Sequence, residues 1–202
     1  MHTDDLTYQR GLPERLRTDA AMLYDEAFGN KFAAAIPARA ERLALLEAYF
    51  MPAYAIVAIA DDTLAGLAGF HTTEGSFTGG CLSGTAPYRD LTDRLGLWRG
   101  NRAALIFSLY ARQPAPGELL MDGLAVNRRF RSQGIGSRLL DEVARYARDS
   151  GYDRVRLDVI DTNPRAKKLY ERKGFQVVKT ERIPYLRWLL GFGGYTTMER
   201  IV

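Results

Sequence analysis

The stretch RSQGIGSRLL, from Arg131 to Leu140, sets Gly134 and Gly136 one residue apart between Arg131 and Arg138, at a point where an apolar, strand-like run gives way to a helical pattern. These residue types at this spacing suit the binding of an anion. The first amides of a helix have no intrahelical acceptor and lie at the positive end of the macrodipole, so a phosphate is favoured there. Glycines at 134 and 136 permit close backbone approach and positive φ, which lets the amides of Gln133, Gly134, Ile135, Gly136 and Ser137 converge on one ligand. Arg131 and Arg138 would add charge-assisted hydrogen bonds. Other uses of the loop stay open at this point: a purely structural turn, or a Rossmann-like nucleotide binder. A P-loop would need Gly-Lys-Ser/Thr, which is absent, and the dinucleotide fingerprint would need a third glycine where this chain has Leu139.

Such a loop must be held by a strand before it and a helix after it. Residues 118–126 have strand character, and Ile135, Leu139, Leu140, Val143, Ala144 and Ala147 form one apolar stripe at helical spacing that stops at Ser150-Gly151. Val155, Leu157 and Val159 then alternate with Arg154, Arg156 and Asp158, a half-buried strand. The intervening helix makes the two strands a parallel crossover pair. Asn163 caps a short helix with Pro164 in its first turn and Gly174 at its end. Upstream, the pattern predicts a strand over 6–11, helices over 13–29 and 38–49, and a hairpin of 54–60 with 64–72 turning at Asp61-Asp62. A Gly/Ser/Thr-rich loop over 73–84 precedes two predicted helices, 88–97 and 101–111, which read as an insertion at about 85–113. Strands over 175–180 and 195–201 close the chain.

Composition sets the frame. With 202 residues and no repeat, low-complexity tract or linker, the expectation is one α/β domain over 1–202. A net charge of +4 carries no nucleic-acid footprint. The longest apolar runs fall far short of the roughly 20 residues that span a bilayer, and the N-terminus lacks a signal-peptide core, so a cytoplasmic protein without a membrane partner is expected. Cys81, the sole cysteine, excludes an internal disulfide and reads as a buried or half-buried structural thiol; His2 and His71 make no metal site.

RSQGIG matches the Arg/Gln-x-x-Gly-x-Gly/Ala pyrophosphate loop of the GNAT superfamily of N-acetyltransferases, with LLMDGLAV before it and LDVIDTNPRAKKLYERKGF after it in that superfamily's order. The chain resembles it closely from Glu118 to about Lys179. The resemblance implies an α+β mixed sheet, mostly antiparallel and twisted, splayed at a parallel strand pair and flanked by helices. It implies acetyl-CoA as acyl donor, with the pyrophosphate on the amides from Gln133 to Ser137 and the pantetheine arm along the backbone of Leu124, Ala125 and Val126. A backbone N–H near Val126 would polarise the thioester carbonyl. Tyr170 matches the family's tyrosine acid, and a phenol of ordinary pKa near 10 stays protonated at neutral pH. Asp122 stands where many members place a glutamate base. One methylene shorter, and with an unperturbed pKa near 3.9, it would work through a water relay, or else only hold the substrate's ammonium or make local hydrogen bonds. Asn163 contacts the cofactor in the family, beside its role as a helix cap.

The resulting expectation is an enzyme transferring acetyl to a primary amine of a small molecule or peptide by direct attack in a ternary complex. A non-catalytic acyl-CoA-binding or regulatory module is the alternative. The acceptor cleft would lie among the N-terminal helices, the 73–84 loop and the 185–192 loop, none of which carries a substrate motif. Tyr185, Trp188 and Phe192 suit either a contact between two copies or an apolar acceptor pocket.

Overall fold

The computed structural model describes residues 6–79 and 88–202. Cys81, the part of the 73–84 loop from residue 80 onward, and the first residues of the insertion lie outside the described residues. β1 (Leu6–Arg10) pairs antiparallel with β2 (Ala55–Ala60), and β2 with β3 (Thr63–Thr72). Asp61 and Asp62, at φ 44° and 61°, make the two-residue turn between them, whose positive φ angles match the right-handed twist of the hairpin. Next come β5 (Glu118–Val126), β6 (Arg154–Ile160), β8 (Gly194–Ile201) and β7 (Gln176–Arg182), with the two-residue β4 (Gly75–Ser76) on β3. Within this sheet β5 and β6 are the parallel pair, as the crossover pattern predicts.

Each face of the sheet carries its own apolar cluster. On one side Leu16, just before α1 (Arg17–Phe32), joins Tyr24 and Phe32 of α1 and Leu45 and Leu46 of α2 (Arg39–Tyr49) in packing against Val57, Leu67 and Phe77. On the other, α5 (Ile135–Asp149) lays Ile135, Leu139, Leu140, Val143 and Ala147 on Phe70, Leu119, Val155 and Leu157. The predicted stripe is therefore the buried face of α5. α6 (Pro164–Arg172) follows β6, with the Asn163 side chain accepting from the Ala166 amide as an N-cap.

The insertion differs in its bounds from the spacing-based expectation: α3 is Tyr88–Leu95 and α4 is Leu97–Ser108, divided by Gly96 at φ 80°. A left-handed residue cannot continue a helix, so the break falls at that glycine and the second helix starts at once. Leu91, Ala103, Ile106 and Phe107 extend the first core, and the Phe107 ring stands edge-on to Phe32 at 6.1 Å. Near the C-terminus the aromatics separate. Phe192 is buried against Tyr110, whereas Tyr185 and Trp188 are 70% and 83% exposed, Trp188 on the four-residue α7 (Arg187–Leu190).

Two local features open the sheet where chemistry is expected. β5 and β6 pair only from Glu118 to Leu120 against Arg154 to Arg156, and then part. Glu118, 2% exposed, is clasped at that closed end by Arg156 Nη1 at 2.9 Å and Arg154 Nε at 3.6 Å. Against β3, Gly69 faces Gly123 and Phe70 faces Met121, so Asp122 is the extra residue of a β-bulge. A bulge re-aims the side chain it carries.

Candidate active site

Splaying β5 from β6 creates a groove of about 750 Å³. One wall is Leu124, Ala125 and Val126; the other is Asp158, Val159 and Ile160 with Asn163, Leu169 and Tyr170; Gly134, Ile135, Gly136 and Ser137 close one end. The Asn127 amide donates to Ala65 O on β3, so the two-residue alternation of a strand turns the amides of Leu124 and Val126 away from β3, toward the groove. Arg131 Nε already donates to Val126 O at 3.1 Å, from the groove side.

The glycine loop is a helix N-terminus without a capping side chain. Gly134, at φ 82°, is the N-cap of α5, and the first intrahelical bond there runs from the Arg138 amide to Gly134 O. Amides at Ile135, Gly136 and Ser137 thus have no helix acceptor, and their residues line the groove. Arg131 and Arg128 also line it, both tied to Glu26, while Arg165 and Arg172 line it with no ion pair among the described residues. This donor set fits a pyrophosphate such as that of acetyl-CoA.

A second cavity opens beside the groove, lined by Tyr24, Phe28, Lys31, Phe32, His71, Thr78, Tyr110, Arg112, Leu120, Met121, Asp122 and Asp158. Phe28, Lys31 and Asp158 belong to both spaces and mark their junction. Extending the β5–β6 register sets Asp158 level with Asp122 across the gap. Gly123 makes room there: a Cβ on it would come within 2.8 Å of the Phe28 ring.

The two aspartates differ in their partners. Burial pushes the Asp122 carboxyl up to about 6, against the opposing pull of the Thr78 amide and hydroxyl at 3.5 and 3.4 Å. The weakness of an ordinary aspartate as a base is thereby relieved, since the protonation midpoint lies close to neutrality. Asp158 is paired with Arg112 and also accepts from the Thr197 hydroxyl at 2.5 Å. Burial lowers Lys31, aided by Arg112 and opposed by Asp158, to about 8, and burial also holds the His71 imidazole low, hence neutral. Tyr170, half-buried in the groove with its ring 5.9 Å from Phe175, is pushed up to about 12 by burial.

Of the residues singled out from sequence, Leu124, Ala125, Val126, Arg131, Gly134, Ile135, Gly136, Ser137, Asn163 and Tyr170 come together in the groove, with Asp122 in the adjoining cavity. Gln133 and Arg138 lie aside. The Gln133 amide side chain reaches Arg129 O, and Arg138 turns to Glu142 at 3.0 Å and over the Tyr8 ring. Lys31, Arg112, Thr78 and the α1 aromatics went unnoticed in the sequence, because no spacing links residues that converge only through packing. Asp158 carried a signal: parallel register places it opposite Asp122.

The acetyltransferase (GNAT) family profile matches residues 20–175. Bovine thialysine N-epsilon-acetyltransferase (Bos taurus) is 40% identical over 58 residues, covering 29% of this chain and 34% of that protein, so the match spans about a third of the curated relative. An N-acetyltransferase from Staphylococcus aureus Mu50 superposes with TM-score 0.67 at 14% identity, over 96% of this chain and 100% of that one. A GCN5-related N-acetyltransferase from Kribbella flavida gives TM-score 0.64 at 17% identity, over 100% of both chains. With the profile covering well over half of its length, this chain belongs to the acetyltransferase (GNAT) family.

Proposed function

We propose that the protein transfers acetyl from acetyl-CoA to a primary amine by direct attack within a ternary complex. The observation that carries this reading is the junction itself, where a groove ending on uncapped helix amides meets a cavity holding a carboxylate poised near neutrality. Bound there, acetyl-CoA supplies an activated acyl group. The amides of Ile135, Gly136 and Ser137 bind its pyrophosphate, and the groove-facing amides of Leu124 and Val126 hold the pantetheine arm and stabilise negative charge developing on the carbonyl oxygen.

Asp122 accepts the proton that the attacking nitrogen loses, through a water or directly. Tyr170, protonated at any physiological pH, donates its hydroxyl hydrogen to the departing sulfur. Because a thiol gives up its proton more readily than this phenol, Tyr170 acts chiefly as a hydrogen-bond donor to the thiolate. Asn163 shapes the groove wall as the cap of α6.

Thiol release from acetyl-CoA across an amine panel, alongside calorimetric titration with acetyl-CoA and NAD, tests the reading. Amine-dependent thiol release is the expected result. Tight acetyl-CoA binding with no release for any amine would make the protein a binding module, and NAD binding in its place would overturn both.

A further inference from the structure

The acceptor cavity holds two cations, Lys31 and Arg112, and two carboxylates, Asp122 and Asp158, but only one ion pair forms among them. Asp158 is neutralised by Arg112. Asp122 is engaged by Thr78. Lys31 is left over: its ammonium lies 5.5 Å from the Phe28 ring centroid, and among the described residues no carboxylate comes within ion-pair distance of it. An ammonium half-buried without an ion-pair partner is costly, and the lowered proton affinity of Lys31 reflects that cost. At neutral pH it is still mostly charged. His71, 6% exposed on the same wall, adds a neutral ring whose Nδ1 has no hydrogen-bond partner. A half-buried cation with no ion-pair partner calls for an anionic oxygen, and the orphaned imidazole nitrogen leaves a further polar contact to be made in the same cavity.

We infer that the acceptor is a primary amine that also bears a carboxylate, with Lys31 pairing with that carboxylate while Asp122 takes the amine. The inference rests on the acetyltransferase reading above and specifies its substrate class. A monoamine would leave Lys31 unpaired, and a diamine would set a second ammonium against it, so both are disfavoured by the same charge.

The test compares matched acceptors on one protein preparation: phenylalanine against 2-phenylethylamine, and 6-aminohexanoate against hexylamine and 1,6-diaminohexane. In at least one series the carboxylate-bearing member should show a kcat/KM at least tenfold above its partners. Lys31→Met should cut that ratio at least tenfold, and Lys31→Glu should invert it toward the diamine. Because each ratio is internal to one preparation, partial misfolding of a variant cancels. Equal or reversed preference in the parent protein, or a preference untouched by both substitutions, overturns the inference while leaving acetyl transfer intact. Should no compound be acetylated, the functional reading fails instead, and titration of the same compounds into the protein with CoA present decides the inference. Tighter binding of the acids, lost in Lys31→Met, upholds it, and no difference refutes it.

Discussion

Replacing Asp122 by asparagine should stabilise the protein while disabling it. Asp122 is raised from 3.8 to about 6 chiefly by burial, so the folded state holds its proton over a range where the unfolded chain has released it. Stability contributed by this site is therefore present below pH 4, falls as pH rises from about 4 to 6, and stays low above that. At about 1.4 kcal/mol per pH unit, the shift corresponds to about 3 kcal/mol at neutral pH, an upper bound given the site's partial access to solvent. Asparagine keeps an oxygen for Thr78 and carries no charge. Asp122→Asn should therefore unfold about 1–3 kcal/mol harder than the parent at pH 7.5, equivalent to roughly 3–8 °C in Tm for a chain of this length. The advantage should vanish by pH 4. Urea melts at pH 4, 5.5 and 7.5 read the difference, and thiol release at pH 7.5 should fall about 100-fold or more. An Asp122→Asn protein that is less stable at pH 7.5, or one whose advantage does not depend on pH, would refute the reasoning.

Tyr170→Phe should lower kcat about 100-fold or more with acetyl-CoA affinity within about threefold of the parent, as read by stopped-assay kinetics and calorimetry, because only the hydrogen-bond donor to the departing thiolate is removed. Gly134→Val forces a branched side chain to φ 82°, which costs about 1–2 kcal/mol and displaces the amides that hold the pyrophosphate, so acetyl-CoA binding should be lost in calorimetry. Gly123→Ala would bring a methyl within 2.8 Å of the Phe28 ring; a loss of about 1–3 kcal/mol in a urea melt, with a raised KM for the amine, is expected. Glu118→Gln leaves Arg154 and Arg156 crowded without their anion at the closed end of the splay, and about 3 kcal/mol should be lost, measured in the same way.

The groove was legible early because its parts are local. A strand, an anion-binding loop and an amphipathic helix follow one another between Glu118 and Asp149, and short-range periodicity suffices to read each. Even there, side-chain direction was not fixed: Arg131 turns into the groove and Arg138 onto Glu142 and Tyr8, a choice in which the distant Glu26 and Tyr8 act together with the nearby Val126 carbonyl and Glu142.

What the sequence determined by itself was the groove and its immediate frame: the parallel crossover, the uncapped helix N-terminus at Gly134, the tyrosine on α6 and the carboxylate on β5. Tertiary structure alone decided the adjoining cavity. The bulge that re-aims Asp122 exists only as a register shift against β3, and its raised pKa comes from burial that no string of residues displays. Lys31 from α1, His71 from β3, Arg112 from beyond α4 and Asp158 from β6 meet in one cavity through packing alone. Hydrogen-bonded periodicity is written along the chain, whereas the electrostatics of a cavity is a sum over residues that folding brings together.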